Sequence, residues 1–288
     1  MAPEQSSAIG RRRLRSELRQ AREAAGFTQE QVTREMEWSL SKLIRIETGA
    51  VGVSTNDLKA LLHLYGVQDR DRIAELTELA RASRRKPAWW AAYRGLLSEQ
   101  YRKYIEYESA AAIQRYFDPL LIPGILQTED YARAVVASGG PGKLDDREIE
   151  RYVEVRRIRQ QELRQHGRRQ VTALLGEAAV RQVVGGRAVM RQQLTSLLEG
   201  EYPGVTVRVL PFRLGAHPGL SGGFTILEFA DPADPDLLYV ETPQRDLVDS
   251  GNAQALHMYL RAFADLEERA LSTGDTTALL RDLTEELS

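Results

Sequence analysis

From Gly10 to Ala82 the apolar residues recur at helical spacing, in short blocks separated by turn signals. The first block predicts a helix over about 10–25 with Leu14, Leu18 and Ala21 on one face and Gly26 as its stop. Thr28 suits the cap of a second helix, about Gln29 to Met36, which sets Val32 and Met36 on one face. Ser39 caps a third that buries Leu43 and Ile46 and stops at Gly49. Ser54 or Thr55 opens a fourth with Leu58, Leu61, Leu62 and Tyr65, and a fifth follows over about 69–82 with Ile73, Leu76 and Leu79. Two short helices joined by a tight turn, inside a bundle of this size, form a helix-turn-helix.

Past Pro87 the pattern alternates. Helices are predicted at about 89–114, 128–137, 145–165, 176–183, 187–199, 244–270 and 276–287. Strand patterns fall at Val171–Leu175, Val205–Leu210, Phe224–Phe229 and Leu237–Glu241, the β-branched alternation of 205–209 being the clearest. Strands grouped late in the chain, two of them joined by the turn-rich 231–235, favour an antiparallel α+β sheet. The expected fold is mainly α with an α+β C-terminal part: a four- or five-helix unit, then helices packed on a small antiparallel sheet. Basic residues run from Arg81 to Pro87, and proline disfavours helix before it. The expected organisation is therefore a helix-turn-helix domain at 1–83, a linker at 84–88 and a regulatory and dimerisation domain at 89–288.

Composition narrows the classes. Of 288 residues, 42% are hydrophobic and 28% charged, enough to bury a core. No apolar run reaches the roughly 18–20 residues of a membrane helix, and the first residues lack the apolar stretch of a signal peptide, so a cytoplasmic protein is expected. There is no cysteine and only four histidines, so neither a cofactor nor a metal is expected. Residues 1–86 hold 16 Lys and Arg against 12 Asp and Glu, whereas 87–288 hold 23 against 29. A basic module on an acidic body points to a polyanion-binding head.

Two resemblances follow from particular residues. The stretches Ala21–Val32 and Ser39–Gly49, with their Thr-Gln and Ile-Glu-x-Gly spacing, resemble the Xre/phage-repressor family of DNA-binding domains over residues 9–66. The resemblance implies that Gln29 opens helix two against a DNA phosphate and that helix three lies in the major groove. It matches Ser39, Leu40, Ser41 and Arg45 to base-edge positions and Lys42 to a place near the backbone. It also implies a structural ion pair between Arg22 and Glu47. Two positions depart from the family habit: Thr33 stands where a small alanine is usual, and Glu37 where glycine is common. Further on, Trp89-Trp90, the box Pro123–Arg133, Leu210-Pro-Phe, Gly215-Ala-His217 and Tyr239-Val-Glu241 resemble the C-terminal domain of actinobacterial antitoxin-like regulators. That resemblance implies association, a small acidic partner protein or a small-molecule effector, and no catalysis.

The residues themselves agree with a DNA reader. Arg45 suits a bidentate contact to guanine O6 and N7, Ser41 a base-edge hydrogen bond, and Leu40 only a thymine methyl. Arginines between Arg147 and Arg169 sit on a helix with Glu148 and Glu154 at i,i+3 from Arg151 and Arg157, so a second nucleic-acid surface is the lesser reading. Gly219-Leu-Ser-Gly-Gly223 matches the letters of a nucleophile elbow but lacks the preceding strand and following helix. The function expected is a sequence-specific regulator of double-stranded DNA, a homodimer and not an enzyme. Dimerisation is assigned to 89–288, including Trp89, Trp90 and the helix around Leu256–Leu266. The alternative is a ligand-sensing or enzymatic C-terminal domain with a pocket at Arg213, His217 and Glu241.

Overall fold

The structure is a computed structural model that describes residues 7–47, 51–82, 89–139, 144–165, 170–200, 204–230, 234–240, 247–249 and 253–288. The chain divides into two compact units, one drawn from residues 1–91 and the other from residues 92–230 and 235–288. The expected stop at Gly49, the linker at 84–88 and Glu241 lie outside the described residues.

Among the described residues the first unit holds five α-helices: α1 (Ser7–Ala24), α2 (Gln29–Glu35), α3 (Leu40–Glu47), α4 (Thr55–Leu64) and α5 (Arg70–Ala82). Leu14 and Leu18 of α1, Val32 of α2, Leu43 and Ile46 of α3, Leu58, Leu61 and Leu62 of α4, and Leu76 and Leu79 of α5 form one core. Local chemistry sets the helix starts. The Thr28 hydroxyl accepts from the Gln31 N–H at 3.2 Å while the Gln31 side chain accepts from the Thr28 N–H at 2.8 Å, a reciprocal cap that satisfies two exposed donors. Ser54 caps α4 by accepting from the Asp57 N–H at 2.9 Å.

Three helix ends share one device. The N–H of Phe27 bonds the carbonyl of Arg22, that of Trp38 the carbonyl of Thr33, and that of Val67 the carbonyl of Leu62. Each closure needs a left-handed residue just before the donor. Gly26 and Gly66 supply it at φ +76° and +74°, but α2 is closed by Glu37 at φ +54°, the one non-glycine residue with positive φ among those described. The departure at Glu37 therefore keeps the turn geometry and carries the strain of a side chain in the left-handed region. Thr33 is absorbed by donating its hydroxyl to the Glu30 carbonyl at 2.9 Å.

The second unit is built on a six-stranded sheet in the order β3-β2-β1-β4-β5-β6. The strands are β1 (Ile113–Asp118), β2 (Gln170–Gly176), β3 (Val205–Leu210), β4 (Phe224–Glu228), β5 (Leu237–Val240) and β6 (Leu247–Asp249). The α+β character is as expected, but the sheet is mixed and not wholly antiparallel. β1, β2 and β3 run parallel, and β1, β4, β5 and β6 pair antiparallel. The physical reason lies in the connections. α7 (Glu129–Gly139) and α8 (Asp146–Gln165) separate β1 from β2, and α9 (Glu177–Arg181) and α10 (Arg187–Glu199) separate β2 from β3. Such helical crossovers return the chain in the same direction.

Two further differences concern boundaries. The helix expected over 89–114 is a short 3-10 turn at Trp89–Tyr93, α6 (Glu99–Glu108) and then the first two residues of β1. The helix expected from 244 begins at Ala253 as α11 (Ala253–Arg269), with β6 before it, and the chain ends in α12 (Thr273–Glu286). Strand alternation divides the side chains between two faces. Tyr116, Val171, Ala173, Leu175 and Val209 pack with Tyr131, Met190, Leu194 and Leu280 on one face. Phe117, Leu174, Leu210, Phe224 and Ile226 pack with Phe263 and Leu266 of α11 on the other.

One charged pair is enclosed in this unit. Arg159 of α8 donates from Nε to Glu108 Oε2 at 2.7 Å and from Nη2 to Oε1 at 2.5 Å, and both residues are nearly inaccessible to solvent. The Tyr104 and Tyr116 hydroxyls add donors to Oε1 at 2.7 and 2.8 Å. Burial raises the Glu108 carboxyl, but Arg159 and the two hydroxyls outweigh it and hold it below the ordinary carboxylate range. The sign follows: its contribution is present above the ordinary carboxylate range and is lost as acid drives the pH down through the lowered value. Replacing Arg159 by Met should strand Glu108 and cost about 3–5 kcal/mol in denaturant unfolding followed by circular dichroism. A loss below about 1 kcal/mol would contradict the assigned role.

Candidate nucleic-acid interface

The helix-turn-helix is held by a carboxylate shared among three helices. Arg22, near the end of α1, donates from Nε to Glu47 Oε1 at 2.7 Å and from Nη2 to Oε2 at 3.3 Å. Its Nη1 donates to the Phe27 carbonyl at 2.9 Å, which ties the same guanidinium to the turn before α2. Gln29, the first residue of α2, donates its side-chain amide to Glu47 Oε2 at 2.7 Å. Arg22 is 8% exposed and the Glu47 side chain 6%. Burial disfavours the Arg22 charge, yet the hydrogen bond and charge of Glu47 more than offset it and its pKa lies above the ordinary value.

Gln29 is thus built into this cluster as well as standing at the helix start. An amide nitrogen carries two hydrogens, so one remains for an external acceptor after the bond to Glu47. An open cavity of about 840 Å³ borders this place, lined by Arg19, Arg22, Gln29, Leu40 and Glu47 among others. It lies beside the first residues of both α2 and α3.

The third helix presents a defined outer face. Leu43 and Ile46 are buried, whereas Leu40, Ser41, Ile44 and Arg45 are exposed. Ser39 accepts from the Lys42 N–H at 3.2 Å, so its hydroxyl closes the start of α3. Lys42 stands 3.6 Å from the centre of the Trp38 ring and 3.3 Å from Asp57 Oδ2, so its charge is already engaged from two sides. Ile44 was not among the residues picked from the sequence. The signal was present in the helical period, which puts it one turn beyond Leu40.

The C-terminal candidates do not converge in the same way. His217 accepts from the Gly219 N–H through Nδ1 at 3.1 Å and caps a short 3-10 turn, Pro218–Ser221. Its pKa is lowered by burial and by the charge of Arg269, against a smaller opposite effect of Asp265. Arg213 is exposed on the preceding turn, and Glu241 lies outside the described residues. Ser221 ends the 3-10 turn and leads into β4, a strand and not a helix, so the strand–serine–helix order of a nucleophile elbow is missing. Gly219 packs on the Phe117 ring so closely that a Cβ there would lie 2.3 Å from it, which explains the glycine by packing.

Several arginines of α8 are engaged within the unit. Arg159 is buried against Glu108, Arg157 is 3.9 Å from Glu154, and Arg151 lies over the Tyr93 ring at 5.6 Å. Among the described residues no group of His, Asp and Glu is placed to hold a metal ion, and no helix is long and apolar enough to cross a membrane.

A family model described as a helix-turn-helix domain matches residues 13–76, the stretch that contains α2, α3 and the Glu47 cluster. With that fold and that exposed helix, the class of the protein is a DNA-binding regulator. A second model, described as a domain of unknown function (DUF5753), matches residues 101–282, and the chain belongs to that family. No curated protein and no solved structure matches the chain.

Replacing Glu47 by Ala should strand the Arg22 guanidinium and release Gln29, at a cost of about 3–5 kcal/mol. Trp38 lies against Lys42 beside α3, so tryptophan fluorescence carries an unfolding signal from this unit. An unchanged midpoint would show that the cluster does not hold the helices together.

Proposed function

We propose that the chain is a homodimeric, sequence-specific regulator that reads double-stranded DNA through α3. One observation carries this reading: an exposed face of Leu40, Ser41, Ile44 and Arg45 on a helix whose other face and C-terminal end are fixed by the core and by Arg22–Glu47. In this reading Arg45 and Ser41 contact base edges and Gln29 and Lys42 meet phosphates, which position the helix without specifying sequence. Residues 1–83 are the reading head, 84–88 the linker and 89–288 the dimerising part. Two heads on one duplex face reach half-sites about 34 Å apart.

The dimer surface needs revision from the sequence expectation. Phe263 and Leu266 are buried in their own unit and Leu256 and Leu260 pack partly against the same core, whereas Phe212, Leu220 and Met258 are exposed. The second unit is also the proposed receiver of an effector, either a small molecule or a small acidic protein. A polar cavity of about 440 Å³ lined by Thr128, Arg157, Gln160 and Arg164 supports a small-molecule site more than the loop of Arg213 and His217 does.

The test is a quantitative binding assay of the full chain on a selected operator and on random DNA. Arg45→Ala should cost about 1–3 kcal/mol on the operator and relax one position. Lys42→Ala should weaken binding to all sequences and flatten its salt dependence. Equal losses from both variants on both kinds of DNA would show that α3 is wrongly oriented in this reading.

A further inference from the structure

The outer face of α3 carries an unusual pair. Leu40 and Ile44 stand one helical turn apart and remain 40% and 38% exposed. Among the described residues of the first unit they are the only large hydrophobic side chains left exposed. The helix does not need them for its core, which Leu43 and Ile46 supply. They flank Ser41 and adjoin Arg45, so apolar and hydrogen-bonding side chains share one strip.

Neither side chain donates or accepts a hydrogen bond. In the major groove the one apolar feature of a base edge is the C5-methyl group of thymine. Four residues of α-helix rise about 6 Å, close to two base steps of about 3.4 Å each. We propose that Leu40 and Ile44 form a two-point reader of thymine methyl groups, selecting two thymines about two base steps apart beside the base pair contacted by Arg45. This rests on the DNA reading above and adds to it the kind of operator the chain prefers. The Arg45 and Ser41 contacts fix the register along the groove, and the aliphatic pair fills the space between them and the methyl groups.

The experiment uses the full chain and an operator recovered by selection from random duplexes. Each thymine of the operator is replaced singly by deoxyuridine, which removes only the methyl group. Two positions about two steps apart should each lose about four-fold in affinity, the value of one buried methyl. Leu40→Ala should abolish the sensitivity at one of them and Ile44→Ala at the other, with tryptophan fluorescence showing both variants folded. An operator bound specifically but indifferent to every deoxyuridine overturns the methyl reader and leaves the DNA reading standing. Failure to select any operator overturns both. A changed oligomeric state in Leu40→Ala or Ile44→Ala, with operator preference intact, would assign the pair to a second copy of the chain and also overturn the proposal.

Discussion

The carboxylate of Glu47 is the point on which the first unit depends. It ends α3, and it accepts from the last turn of α1 and from the first residue of α2. A recognition helix works only if its exposed side chains are fixed relative to the rest of the domain. Hydrophobic packing of Leu43 and Ile46 sets the distance of α3 from the core, but such contacts are non-directional. The bonds to Arg22 and Gln29 are directional and charge-assisted, so they set the rotation and tilt that packing leaves free. Because the same guanidinium also holds the Phe27 carbonyl, the turn into α2 moves with the helix that ends in Glu47. The base contacts proposed for Arg45 and Ser41 require a frame of this kind to have a fixed geometry.

The second unit uses a similar device for another purpose. Arg159 and Glu108 join α8 to the end of α6, and Tyr116 brings β1 into the same cluster. The Glu108 carboxylate meets donors from three side chains, which offsets the desolvation a buried charge suffers. The cluster adjoins the strand that joins the parallel and antiparallel halves of the sheet. Nothing in this arrangement resembles a catalytic dyad. Its charges are mutually satisfied and enclosed, and this favours a scaffold that holds the sheet in one register.

Much of the first unit was legible in the sequence because its determinants are local. Caps at Thr28 and Ser54, the stop at Gly26, and the i,i+3 and i,i+4 spacing of Leu and Ile each act within a few residues. The second unit was read less completely for the opposite reason. β1 contains Gln114 and Arg115, whose partners are Glu108 and Glu228, so its polar letters carry no strand signal until the sheet is formed. The parallel pairing was hidden with it, since without β1 the remaining strands look like a late antiparallel group. Arg159 looked like one more member of a solvated arginine run, and only its long-range partner at Glu108 marks it as buried. In the candidate interface, Gln29 was placed at a helix start by resemblance, whereas its bond to Glu47 follows from packing and has no local signature. Ile44 lies within the helical period of α3, but its exposure follows only from how the helix packs.

If α3 enters the major groove, a group on its outer face will cross-link to bases. A photoreactive amino acid is placed at Ser41 in the full chain, and a second variant carries it at Glu78 on α5, which is exposed but outside the proposed interface. Each is irradiated on the selected operator, and the adducts are mapped by sequencing. The position at Ser41 should give adducts at one or two base positions in each half-site, and the position at Glu78 none. Equal yields from both positions, or adducts from Glu78 alone, would contradict entry of α3 into the groove.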